Sequence, residues 1–162
     1  MKYFSLVTTL EELKKEYRKL CFELHPDRNK DKDTTAEFQI MQNEYEARFE
    51  EVKNIFKNAK GETYTKENTE TPEEFKDIIN KLIYMQGVDI DIIGTWIWLS
   101  GNTKQYKEEI KDLKFKWSKN KLAWYYHTGS FRKKSKNHYN LDELREMFES
   151  RKVENEQLKA LA

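Results

Sequence analysis

Leu10, Leu13, Tyr17, Leu20 and Leu24 recur at alternating intervals of three and four residues, the period of one buried helical stripe. Phe38, Met41, Tyr45, Phe49, Val52 and Phe56 repeat the pattern beyond a polar interval. Two such stripes satisfy each other by folding back antiparallel, so the pattern predicts a helical hairpin with His25-Pro26-Asp27 at its bend. Proline disfavours helix in the residue before it, which stops the first helix near Leu24 or His25. Thr8 with Glu11, or Thr9 with Glu12, fits a capping box at its start. The second helix is expected to run to about Asn58 or Ala59.

Residues 60–71, KGETYTKENTET, are almost free of apolar side chains and predict a linker. Thr71-Pro72-Glu73-Glu74 opens a new helix with a cap, a first-turn proline and first-turn acids, and Phe75, Ile78, Ile79, Leu82 and Ile83 form its apolar face up to Gly87. From Val88 the period changes. Ile90, Ile92, Ile93, Trp96, Ile97, Trp98 and Leu99 predict one strand, with Gly94 as a bulge or close approach. A helix over Thr103–Leu113 turns Tyr106, Ile110 and Leu113 inward, and two short strands flank Lys119-Asn120-Lys121 as a hairpin. Asn140 caps a last helix with Leu141, Leu144, Met147 and Phe148 inward, and the tail after about Lys152 is expected to fray. The fold class is therefore α+β: an all-α hairpin (1–59), a linker (60–71), a small domain in the order α-β-α-β-β-α with a three-stranded sheet (72–152), and a tail (153–162).

Composition narrows the picture. Charged residues make up 36% of the 162-residue chain, which predicts a soluble, highly solvated protein with small cores. No apolar run approaches the roughly 20 residues that span a bilayer, and the first residues carry no signal-peptide pattern, so a cytoplasmic protein is expected. Cys21 is the single cysteine, on the first helix, and is read as a packing residue, leaving no disulfide or cysteine-based metal site. The net charge of +1 conceals segregation: residues 61–93 carry 3 basic and 8 acidic side chains, residues 94–139 carry 11 and 3. A block at +8 suits an anionic partner such as nucleic acid, or is balanced by the −5 block before it.

Tyr17-Arg18-Lys19-Leu20, His25-Pro26-Asp27-Arg28-Asn29, and then Phe38, Met41 and Tyr45 resemble helix II, the signature loop and helix III of a J-domain, the regulatory module of DnaJ-type cochaperones. The likeness covers about residues 2–50. It implies docking on a DnaK-type heat-shock chaperone, with His25, Pro26 and Asp27 required and a basic face of the first helix meeting an acidic surface. Lys14, Lys15, Arg18 and Lys19 lie off the apolar stripe and predict such a solvent-side patch, joined by Arg28 after the loop. Without the tripeptide, the same lysines would read as a solvated face interleaved with Glu11, Glu12, Glu16 and Glu23. The usual helix I is compressed here, and a helix IV is missing after Tyr45.

The region from Gly94 to Thr103, with Lys114–Ser118 and Trp124–His127, is similar to the C-terminal part of J-domain proteins carried by phages and plasmids. Four tryptophans fall there beside the most basic loops. Packing of one aromatic face is the plainer explanation. A nucleic-acid surface is the sharper one, with rings stacking on bases while Lys116, Lys119, Lys121, Arg132, Lys133 and Lys134 contact phosphates. His127 and His138 each stand alone, without the neighbours a metal site needs, and no phosphate-binding glycine loop or serine elbow occurs, so neither a cofactor nor an enzyme is expected. The chain reads as a cochaperone whose second domain selects a client or site, or alternatively as a nucleic-acid-binding protein with the hairpin as adaptor.

Overall fold

A computed structural model describes residues 1–58, 60–127 and 139–147, and the backbone of 153–154. The hairpin forms as the stripes require. Helix α1 (Leu10–Leu24) is capped by Thr9, whose Oγ1 accepts from the Glu12 amide, while the Glu12 carboxylate accepts from the amide and hydroxyl of Thr8. Helix α2 (Thr35–Val52) packs along it, and Leu13, Tyr17, Met41, Tyr45 and Phe49 are fully buried between them and their neighbours. Phe4 seals one end of this core.

Helix α2 stops at Val52, earlier than the periodicity of Phe49 and Phe56 predicts. Phe56 is instead on strand β1 (Ile55–Lys57), which pairs antiparallel with β2 (Thr63–Thr65) and stacks its ring on Tyr64 at 5.6 Å. The spacing of Phe56 continues the helical stripe by coincidence; the Asn58 side chain, accepting from the amides of Lys60 and Glu62, turns the chain back. The polar stretch 60–71 is therefore a strand and a return segment, with Glu70 buried at its end.

Helix α3 (Pro72–Leu82) follows, then strands β3 (Val88–Ile93) and β4 (Trp96–Gly101), which pair throughout their length across a Gly94-Thr95 turn. The expected single strand is thus two, and Gly94 at φ 61° makes a hairpin turn where a bulge or a close approach was predicted. Both strands are apolar enough to read as one run because both are covered on two faces. A 3-10 turn (Lys104–Tyr106) and α4 (Lys107–Asp112) lead to β5 (Lys116–Ser118) and β6 (Ala123–His127). Helix α5 (Leu141–Met147) and a two-residue edge strand β7 (Val153–Glu154) are the last of the described elements. The sheet order is β5-β6-β4-β3-β7, all antiparallel, which replaces the predicted three strands; β7 uses two residues of the expected tail.

One hydrophobic core runs from Phe4 through α1, α2 and α3 to Ile90, Leu99, Ile110 and Trp124. The other face of the sheet carries Ile93, Trp96, Trp98, Ala123 and Tyr125 under Leu141 and Leu144 of α5. Alternation along β4 and β6 assigns these two faces, as period two demands.

Candidate chaperone-docking site

The bend between α1 and α2 is built by its own side chains. His25 leaves the helix at φ −60°, ψ 127°, and Pro26 opens a 3-10 turn over Pro26–Arg28. Asn29 Nδ2 donates to the carbonyls of Glu23 and His25, both at 2.9 Å, and Thr34 Oγ1 donates to the Leu24 carbonyl at 2.7 Å. These bonds satisfy carbonyls left over at the end of α1 and tie the start of α2 to it. The corner is consequently a stiff, shaped object.

Within it, His25 Nδ1 accepts from the Asp27 amide at 3.2 Å. Its ring meets Phe38 edge-on at 5.1 Å and Tyr84 at 5.9 Å. Burial lowers the His25 imidazole below its ordinary value; Asp27 opposes that shift and Arg28 adds to it. Asp27 is exposed, and its Oδ2 accepts from the Tyr84 hydroxyl at 2.7 Å. Burial and that bond raise Tyr84 to about 12.

The basic residues divide differently from the expectation of one solvent-side patch. Lys14 is buried, with Nζ 2.7 Å from both carboxylate oxygens of Glu70 and 5.1 Å from the Phe75 ring. Arg18 is buried as well, and burial lowers its guanidinium to about 10 while Asp91 pulls it back up. Glu11, one turn before Lys14, accepts a backbone hydrogen bond from Gly94. The stripe Glu11-Lys14-Arg18 thus faces α3 and β3, which lie across the side of α1 expected to be wet. Arg28 is buried too, its guanidinium 4.5 Å over the Phe22 ring, so it supports the corner from beneath. Only Lys15, paired with Glu11 at 2.6 Å, and Lys19, whose side chain is 59% exposed, remain at the surface. The acidic block supplies the partners: Glu70 meets the first helix, and Asp91 meets Arg145 of the last one at 2.7 Å.

Residues 6–53 match the family model of the DnaJ domain. The DnaJ-domain segment therefore includes α1, the His25-Pro26-Asp27 corner and α2, and it ends before β1. It implies in general terms a cochaperone role and an Hsp70-type partner. No curated protein and no solved structure matches the chain. Tyr84, which touches the corner, lies outside the matched segment, and nothing in its sequence surroundings distinguishes it from an ordinary residue at the end of a helix.

In the second half, Lys116 and Lys119 are exposed on the β5-β6 hairpin, and Lys121 rests 5.5 Å over the Trp98 ring. Arg132, Lys133, Lys134 and His138 lie outside the described residues. Both faces of the sheet are covered: α5 lies over Trp98 and part of Trp96, while Trp124 enters the main core. Trp117 is the exception, 44% exposed at the hairpin and edge-on to Trp124. His127 holds Thr95 Oγ1 at 2.9 Å and packs on Trp96, a structural placement.

Proposed function

We propose that this protein is a J-domain cochaperone that docks on a DnaK-type chaperone through His25, Pro26 and Asp27 and stimulates ATP hydrolysis by that partner, while its second half selects a client or site. The observation that carries the reading is the rigid corner itself, which presents an exposed carboxylate between two mutually packed helices. Lys15 and Lys19 supply the surface positive charge that steers an acidic partner, and Lys14, Arg18 and Arg28 act by holding α1 and the corner in place. In this reading the nucleotide chemistry belongs to the partner. Single-turnover ATP hydrolysis by a DnaK-type chaperone is expected to accelerate with the wild-type protein. His25→Gln and Asp27→Asn are expected to lose the acceleration, and equal stimulation by either variant rejects the assignment.

Trp117 favours a second reading. An exposed indole beside Lys116 and Lys119 is the combination that stacks on a base and contacts phosphates, so the β5-β6 hairpin is the candidate nucleic-acid surface. Binding of single-stranded DNA or RNA that weakens steeply between low and moderate salt, and that Trp117→Ala reduces, supports it. Salt-independent or absent binding eliminates it.

A further inference from the structure

Tyr84 belongs to the turn after α3, well beyond the DnaJ-domain segment, yet its side chain meets two of the three residues of the corner: its hydroxyl donates to Asp27 Oδ2 at 2.7 Å, and its ring meets the His25 ring at 5.9 Å and 86°. The turn that carries it is anchored independently. Ile83 and Met85 are buried on either side, the Met85 amide donates to the Leu82 carbonyl, the Gln86 amide donates to the Tyr106 hydroxyl at 2.9 Å, and Gly87 at φ 76° ends the turn. The tyrosine is itself 49% exposed. It also lines a groove of about 380 Å³ with Asn80, Lys81, Met85 and Leu113, which offers its ring space away from the corner. A fixed base, an exposed tip and an adjoining space leave room for the side chain to rotate without disturbing the core.

We propose that Tyr84 is a latch on the docking corner: in the resting protein it occupies the Asp27 carboxylate and one edge of His25, and the chaperone must displace it to engage both. The inference rests on the cochaperone reading above, because the latch has a regulatory meaning only if the corner docks. Two features distinguish the latch from the other contacts across α1. Lys14 and Arg18 are held by a buried ion pair and by the common core, so their face does not open without unfolding. Tyr84 gives up a single hydrogen bond and a partial ring contact at the surface, a change small enough for a partner to drive. Such a contact lowers docking affinity while leaving the docked complex unchanged.

The test compares wild type, Tyr84→Phe, Tyr84→Ala and Asp27→Asn in single-turnover ATP hydrolysis by a DnaK-type chaperone across a concentration series. Removing one hydrogen bond to a carboxylate is expected to lower the half-saturating concentration of Tyr84→Phe by about three- to tenfold, with the same plateau. Tyr84→Ala, which also removes the ring from His25, should lower it at least as far. In the protein alone, amide exchange at Arg28 and Asn29 should quicken in Tyr84→Phe while the amides of α3 keep their protection. An unchanged half-saturating concentration in both variants overturns the latch, and a raised one makes Tyr84 a docking contact and overturns it equally. Wild type no more active than Asp27→Asn overturns the cochaperone reading, and the latch falls with it.

Discussion

Lys14 Nζ sits 2.7 Å from both carboxylate oxygens of Glu70, with their side chains only 5% and 3% exposed. This pair joins the first helix of the DnaJ-domain segment to the return segment before α3, and it makes the two halves of the chain share one core. Removing one member of a buried ion pair strands the other charge away from water. Glu70→Gln is therefore expected to destabilise the protein by about 3 kcal/mol or more in urea or guanidinium unfolding. The double change Lys14→Met with Glu70→Leu should recover most of that loss, since apolar side chains of similar volume fill the same space. A single variant as stable as wild type would show the pair to be solvent-screened.

His25 makes stability depend on pH in a defined direction. Its folded-state pKa is depressed below the ordinary 6.5, so the unfolded chain binds the proton more readily. The contribution is complete above the unfolded value and is lost as pH falls through the folded one. Stability measured by urea unfolding from about pH 7.5 to about pH 5 should thus decline more steeply for wild type than for His25→Gln. A His25 imidazole midpoint at or above 6.5 in an NMR titration would reverse the sign.

Arg145 holds α5 over the sheet through Asp91, a carboxylate with no exposed surface. Asn140 starts that helix with a reciprocal cap, accepting from the Glu143 amide at 2.8 Å while its own amide donates to the Glu143 carboxylate at 3.0 Å. Arg145→Ala removes the hydrogen-bonded partner of Asp91 and should cost about 1–3 kcal/mol, the nearby Arg18 charge and the undocking of α5, which admits water, relieving part of the penalty. Because Leu141 and Leu144 cover Trp96 and Trp98, the same variant should red-shift the tryptophan emission and increase quenching by iodide. Unaltered emission and quenching would mean that α5 stays seated without its ion pair.

Gly101 ends β4 at φ 82°, and a Cβ built there would lie 2.5 Å from the Gly87 carbonyl oxygen. That carbonyl is engaged by the Asn102 amide at 2.9 Å and cannot easily withdraw. Gly101→Ala combines a left-handed backbone with a backbone collision and should cost about 2 kcal/mol or more in thermal or denaturant unfolding. A loss no larger than that of an exposed alanine substitution, such as Lys111→Ala on α4, would place the two loops farther apart than described.

Local patterning made the hairpin legible. The spacing of Leu10, Leu13, Tyr17, Met41, Tyr45 and Phe49 needs no distant partner to specify two helices, and Pro26 marks the corner by its own ring. The cap of α5 at Asn140 and the hairpin around Lys119-Asn120-Lys121 were readable for the same reason, each being a contact among near neighbours. Where the spacing misled, strand pairing across a turn and the covering of both faces decided the outcome. Phe56 kept helical spacing but found Tyr64 as a strand partner, and the run Val88–Leu99 hid a turn because both faces of both strands are covered.

The sequence by itself determined the two-helix hairpin, its stiff proline corner and the identities of the side chains presented there. Only the tertiary structure decided that Lys14, Arg18 and Arg28 are interior supports and that Tyr84 reaches Asp27. Periodicity records which face of a helix avoids water on average. Whether a charged stripe is wet or buried depends on a carboxylate delivered from elsewhere in the chain, here by Glu70, and no local pattern encodes that delivery.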